Sequence, residues 1–174
     1  MSDAGNRTKM KISSLMRKFF LPHLNRKFII RLSVVAVVAL VFFAFVLKPF
    51  FISGGSMLPT YGERGFTCVF RWSYLFSAPE RGDIVAVSYF GSRYLLKRVL
   101  AVENDTVAFR EGKLFVNGRL CEEPYVKYQG RWNVPDTFVP PGYCFVAGDN
   151  RQQDKKYHLF GLVRIKRIAG KVLF

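Results

Sequence analysis

An apolar run from Phe28 to Leu47, with Arg31 its only charge, constrains this chain more than any other feature. Roughly 20 apolar residues span the hydrocarbon core of a bilayer, so the run predicts one transmembrane helix over residues 28–48. Arg31 lies close enough to the end of the run to snorkel toward water. Of the nine Lys and Arg residues in positions 1–52 (Arg7, Lys9, Lys11, Arg17, Lys18, Arg26, Lys27, Arg31 and Lys48), only Lys48 follows the run. The positive-inside rule then predicts a cytoplasmic basic segment over 1–27, whose amphipathic part around 12–20 lies on the inner membrane face, and an extracytoplasmic domain over 49–174. A cleavable signal peptide is the competing reading. Its apolar region would be only about 7–15 residues long and would end at an Ala-x-Ala-like site. Phe42-Phe43-Ala44-Phe45-Val46-Leu47-Lys48-Pro49-Phe50-Phe51 offers neither, so an uncleaved anchor is expected.

The formal net charge of +15 divides evenly about this segment: nine basic residues against Asp3 give +8 for positions 1–52, leaving +7 for 53–174. Half of the basicity therefore flanks the membrane, where it sets topology and touches anionic phospholipid. No nucleic-acid partner is needed to explain it. Cys68, Cys121 and Cys144 allow at most one bridge, and all three are read as buried or incidental thiols. The only histidines are His23 and His158, and there is no Cys-x-x-Cys spacing, so no metal or other cofactor is expected.

Beyond the anchor about 120 residues are left, enough for one domain with a real core. Short β-type runs dominate it: 66–71, 84–90, 94–101, 106–110, 113–116, 143–147, 163–167 and 171–174. Turn chemistry separates them at Arg81-Gly82-Asp83, Tyr89-Phe90-Gly91-Ser92, Glu103-Asn104-Asp105, Glu111-Gly112-Lys113 and Val116-Asn117-Gly118-Arg119, with Asn117-Gly118 the strongest hairpin signal. The expected fold class is mainly β, an antiparallel coiled or barrel-like domain after one N-terminal transmembrane helix. Positions 121–141 hold Pro124, Pro135, Pro140 and Pro141, too many for a central strand, and are read as an excursion or flap.

Two residues carry candidate chemistry. Ser56, in Ser56-Met57-Leu58-Pro59-Thr60, lies just beyond the membrane segment, and Lys97 lies inside the apolar run Tyr94-Leu95-Leu96-Lys97-Arg98-Val99. A serine hydroxyl needs a base to take its proton, and a lysine becomes one only when burial lowers its pKa by several units from about 10.4. On a strand Lys97 shares a face with Leu95 and Val99, and Arg98 with Leu96 and Leu100. Alternation does not say which of the two cations is inside, and a solvated cationic strand edge is the competing reading.

Four boxes in order, Ser53-Gly54-Gly55-Ser56-Met57-Leu58-Pro59-Thr60, Arg81-Gly82-Asp83-Ile84-Val85, Tyr94-Leu95-Leu96-Lys97-Arg98-Val99 and Gly148-Asp149-Asn150-Arg151, resemble those of the bacterial type I signal (leader) peptidases. The resemblance covers about residues 49–174. It implies a membrane-bound serine endopeptidase that cleaves signal peptides from exported preproteins at the outer face of the cytoplasmic membrane. Ser56 would be nucleophile and Lys97 general base. The Ser56 backbone N–H would serve the oxyanion hole; Gly54 stands where some members place a second, hydroxyl donor. Asp149 would partner Arg98. Met57 and Pro59 would shape the turn and the substrate groove, although core packing accounts for Met57 equally well. Small residues at substrate positions −1 and −3 would be read by shallow pockets, sought in 51–55 and 84–87.

The fourth box departs from the family's usual continuation, two residues and then Ser-x-Asp-Ser-Arg. Here Asp154 stands where a serine orients the lysine, and Lys156 stands where an aspartate is usual. A carboxylate touching Lys97 would favour its charged form and oppose its work as a base. Asp154 is therefore expected either to shift the pH optimum or to turn away toward Lys155, Lys156 or His158. Three other readings are weighed: a dedicated processing peptidase of the same fold, of the conjugative-transfer or pilin-maturing type; a LexA-like self-cleaving protein, which the anchor opposes; and an inactive membrane-tethered interaction module, which the joint presence of Ser56 and Lys97 opposes.

Overall fold

A computed structural model describes residues 25–89, 93–153 and 161–173, and the chain divides into two compact units, up to Phe42 and from Phe43 onward. Helix α1, Arg26–Phe45, starts where the Asn25 side chain accepts the Phe28 N–H at 2.8 Å, a cap for one of the donors a helix start leaves unpaired. Its 20 residues rise about 30 Å, none of its side chains is buried, and it is long and apolar enough to cross a membrane. The helix ends before the expected residue 48. Pro49 is the cause: it has no N–H to donate and it drives Lys48 out of the α region, so the chain extends into strand β1, Leu47–Ser53.

Among the described residues ten further strands follow, and every pairing between strands is antiparallel. They are β2 (Arg64–Phe70), β3 (Ile84–Ser88), β4 (Tyr94–Ala101), β5 (Thr106–Arg110), β6 (Lys113–Val116), β7 (Arg119–Leu120), β8 (Val134–Phe138), β9 (Tyr143–Ala147), β10 (Gly161–Arg164) and β11 (Ile168–Val172). Seven form a sheet in the order β1-β2-β11-β3-β4-β9-β10, and four form a second in the order β7-β6-β5-β8. The mainly β, antiparallel expectation holds, arranged as two sheets.

Three strands were not anticipated, among them the two-residue β7, which pairs with β6. Strand β1 is an edge, which is where a strand tolerates a proline such as Pro49. Strand β8 carries Pro135 and is also an edge, paired to β5 alone, so positions 121–141 are part strand and part excursion. The expected run 163–167 is instead β10 followed by a 3-10 turn, Ile165–Arg167. The hairpin signals are realised: Asn117 and Gly118 have φ of 53° and 75°, and Glu111 and Gly112 have 49° and 83°, the paired positive values that a two-residue turn between twisted strands requires. The turn expected at Tyr89-Phe90-Gly91-Ser92 runs into residues outside the described ones.

One apolar cluster joins the sheets, with Leu100, Ala101 and Phe145 of the larger sheet against Val107, Phe109 and Leu114 of the smaller. Two others lie within the larger sheet, and one of them brings Met57 against Val69, Ala86 and Leu96. At about 25 cal/mol per Å², burying a side chain of this size contributes roughly 2 kcal/mol, so Met57 anchors the serine turn to the core. Cys68, Cys121 and Cys144 are free; Cys68 and Cys144 are buried.

Candidate active site

Lys97 lies on β4, flanked by β3 and β9 in the interior of the larger sheet, and is 0% exposed. The β4–β9 ladder runs from Ala101 to Arg98, so Lys97 lies just past its end. There the chain leaves β9 at Gly148 and a single 3-10 turn, Gly55–Met57, closes in. It closes so tightly that a Cβ built on Gly148 would stand 2.2 Å from the Ser56 carbonyl oxygen, which is why only glycine serves there. The Asn150 N–H donates to the same carbonyl at 3.0 Å, and the Asn150 side-chain amide donates to the Gly55 carbonyl at 3.0 Å. The serine turn is thereby fixed over β4, and Lys97 Nζ donates to Ser56 Oγ at 2.9 Å.

Burial lowers the Lys97 pKa to about 8, because the charged ammonium loses its water; the Asp149 carboxylate pulls in the opposite direction. A lysine near this value holds a useful fraction of free amine at ordinary pH. Arg98 points elsewhere: its Nε and Nη2 donate to the two Asp149 carboxylate oxygens at 2.9 and 2.7 Å, its Nη1 donates to the Gly82 carbonyl, and its guanidinium lies 3.9 Å from the Tyr125 ring centre. Between Lys97 and Arg98, the fully buried cation is Lys97. Asp149 is itself 0% exposed and also accepts from the Thr60 hydroxyl at 2.5 Å, tying the end of the serine motif to the fourth box.

A groove of about 470 Å³ opens in front of Ser56, walled by β1 from Phe50 to Ser53, by Gly54 and Met57, and by the start of β4. Met57 both lines this groove and packs in the core, so the two accounts of it coexist. Pro59 lies in the following turn, exposed, and is not part of the groove wall. Of the two segments expected to hold pockets, 51–54 line the groove and 84–87 do not; Val85, Ala86 and Val87 are buried in the core. Gly54 adopts φ 123° and gives its N–H to the Glu63 carbonyl at 2.8 Å, so that amide is not the second oxyanion donor. Asp154, Lys155, Lys156 and His158 lie outside the described residues.

The profile of the signal peptidase family, peptidase S26, matches residues 25–174. The chain belongs to that family. A probable signal peptidase I-1 from Synechocystis sp. is 33% identical to this S26 peptidase over 152 residues, 82% of this chain and 78% of the relative. Signal peptidase IB of Staphylococcus aureus is 30% identical over 85% of this chain and 87% of its own length. Thylakoidal processing peptidase 1 of Arabidopsis thaliana is 34% identical over 79% of this chain, which spans only 44% of that relative. A member of this family is a serine peptidase, hence a hydrolase.

Sequence reasoning missed Thr60, Asn150 and Gly148 as supports of the serine turn. The signal was present in part, since Thr60 closes the first box and Gly148-Asp149-Asn150 opens the fourth. What a linear reading lacks is that the two boxes touch.

Proposed function

We propose that this S26 peptidase cleaves signal peptides from exported preproteins with Ser56 as nucleophile and Lys97 as general base. The observation that carries the reading is the 2.9 Å contact between a Ser56 hydroxyl and a fully buried Lys97 amine whose pKa is lowered to about 8. The neutral amine accepts the Ser56 proton as Oγ bonds to the scissile carbonyl carbon. The carbonyl electron pair moves to oxygen, where backbone N–H donors, that of Ser56 among them, stabilise the anion; one such donor is worth about 3–4 kcal/mol in other hydrolases. Collapse of this intermediate breaks the C–N bond, and the Lys97 ammonium returns its proton to the leaving amine. Water then hydrolyses the acyl-Ser56 ester with Lys97 again as base.

In this reading α1 anchors the chain in the cytoplasmic membrane, with residues 1–27 inside and the domain from Pro49 outside, as the charge asymmetry about the apolar run supports. Phe51 and Phe66, exposed 78% and 52% with ring centres 5.6 Å apart, give the β1–β2 hairpin an apolar surface suited to contact with lipid. The test uses the full chain reconstituted in vesicles with one preprotein. Ser56→Ala and Lys97→Ala should each lower cleavage by at least about 10⁴-fold, as removal of a nucleophile or base does in other serine hydrolases, with membrane insertion unchanged. Near-normal turnover by Lys97→Ala would overturn the dyad.

A further inference from the structure

A second cavity, also about 470 Å³, lies away from the Ser56 groove, and its wall gathers four cations, Lys48, Arg71, Lys166 and Arg167, without one carboxylate. Five other cations of the domain are each paired with a carboxylate: Arg81 with Asp105, Arg98 with Asp149, Arg110 with Asp136, Arg151 with Glu123 and Lys171 with Asp83. Among the described residues none of the four has an ion pair. Arg167 is oriented by the Ser88 carbonyl, which accepts from its Nε and Nη2 at 3.2 and 2.7 Å, and Lys48 lies 4.2 Å from the Tyr94 ring centre. These contacts aim the side chains but do not neutralise them. Like charges drawn from β1, the end of β2 and the turn before β11 repel one another, and an anion in the cavity relieves that repulsion.

The surroundings identify the anion. Phe45, the last residue of the apolar helix, forms part of the same wall, together with Trp72 and Leu75. Trp72, Leu75 and the neighbouring Phe76 are 50%, 60% and 99% exposed. A basic cavity bordered by exposed aromatic and aliphatic side chains matches a molecule with a phosphate at one end and acyl chains at the other. We propose that this cavity binds the headgroup of an anionic phospholipid, with the phosphate among Arg71, Lys166, Arg167 and Lys48 and the acyl chains along Trp72, Leu75 and Phe76. The proposal rests on α1 crossing the membrane, and it is independent of the roles given to Ser56 and Lys97.

The experiment titrates the full chain, in micelles of a neutral detergent, with short-chain phosphatidylglycerol, with the matching phosphatidylcholine and with inorganic phosphate. Trp72 fluorescence is the readout, and Trp72→Phe identifies its share of the signal. Saturable binding of phosphatidylglycerol is expected, with phosphatidylcholine and inorganic phosphate each at least about tenfold weaker. The double variant Arg71→Gln/Lys166→Gln should lose roughly tenfold or more in affinity for phosphatidylglycerol, while keeping its peptidase activity in neutral micelles because neither residue lines the Ser56 groove. Equal binding of the two lipids, or an unchanged affinity in the double variant, overturns the site. Inorganic phosphate binding as tightly as phosphatidylglycerol would make it a free-anion site and overturn the lipid assignment. Ser56→Ala should bind phosphatidylglycerol like the wild type, so failure of the peptidase reading leaves this test intact.

Discussion

Lys97 and Arg151 are both cations taken almost wholly out of water, and they are treated in opposite ways. Arg151, 1% exposed, has Nη2 and Nη1 on the two Glu123 oxygens at 2.5 and 3.0 Å and Nε on the Gly148 carbonyl at 2.8 Å, with the Phe109 and Trp132 ring centres within 5.2 and 5.5 Å. Among the described residues Lys97 Nζ has one hydrogen-bond partner, the neutral Ser56 hydroxyl. A buried charge that is paired and hydrogen-bonded stays charged; a buried amine without a touching carboxylate is pushed toward its free base. Burial alone therefore does not decide whether a cation is structural or chemical. The partner decides.

The largest expected effect separates the two sites directly. Glu123→Gln leaves the Arg151 charge buried without its anion and should cost about 3–5 kcal/mol of stability. Lys97→Met removes a group whose burial is unfavourable and should do the reverse. The sign follows from proton binding. With the folded pKa near 8 and the unfolded value near 10.5, the unfolded chain binds more protons between those limits, so wild-type stability rises with pH through that window, by roughly 3 kcal/mol. Below pH 8 Lys97→Met should be more stable than wild type by a similar amount, and the gain should fade toward pH 10.5. Thermal unfolding of the full chain in micelles from pH 6 to 11 measures this, and equal losses in both variants would break the comparison.

Next in size is the pH dependence of cleavage. If the free amine of Lys97 is the base, kcat/KM should rise about tenfold per pH unit up to about pH 8 and then level off, since it follows the unprotonated fraction of the free enzyme. A limb continuing to rise past pH 10 would mean that Lys97 keeps its ordinary basicity, as a lysine paired like Arg151 would.

Much of this was legible in the sequence, and what was not has physical causes. Strands β4, β5, β6 and β9 fall where apolar runs between turn signals place them, and for β5 and β6 the turns at Glu111-Gly112 and Asn117-Gly118 fix the ends locally. Strand β1 was hidden because Lys48-Pro49-Phe50-Phe51-Ile52 reads as a tail of the apolar anchor, and its pairing with β2 depends on residues up to Phe70. The choice between Lys97 and Arg98 was undecidable from alternation, since both neighbour apolar residues along the strand. It is settled by Asp149, 51 positions from Arg98, which takes that guanidinium and leaves Lys97 to Ser56. Gly148 likewise reads as any turn glycine until the Ser56 carbonyl is seen beside it.

The smallest expected effect calibrates the other two. Arg110 on β5 and Asp136 on β8 make another Arg–carboxylate contact, 3.1 Å long, with the side chains 61% and 62% exposed. Water solvates both ions before and after folding and screens them from each other, so Asp136→Asn should cost no more than about 1 kcal/mol, and less as salt is added. The chemistry of this pair is that of Arg151 with Glu123; the environment is what differs. Thermal unfolding of Asp136→Asn, Arg110→Gln and the double variant isolates the coupling between the two side chains. A coupling as large as the loss in Glu123→Gln would show that exposure does not control the strength of charge interactions in this domain, and desolvation would no longer explain why the Lys97 pKa is lowered.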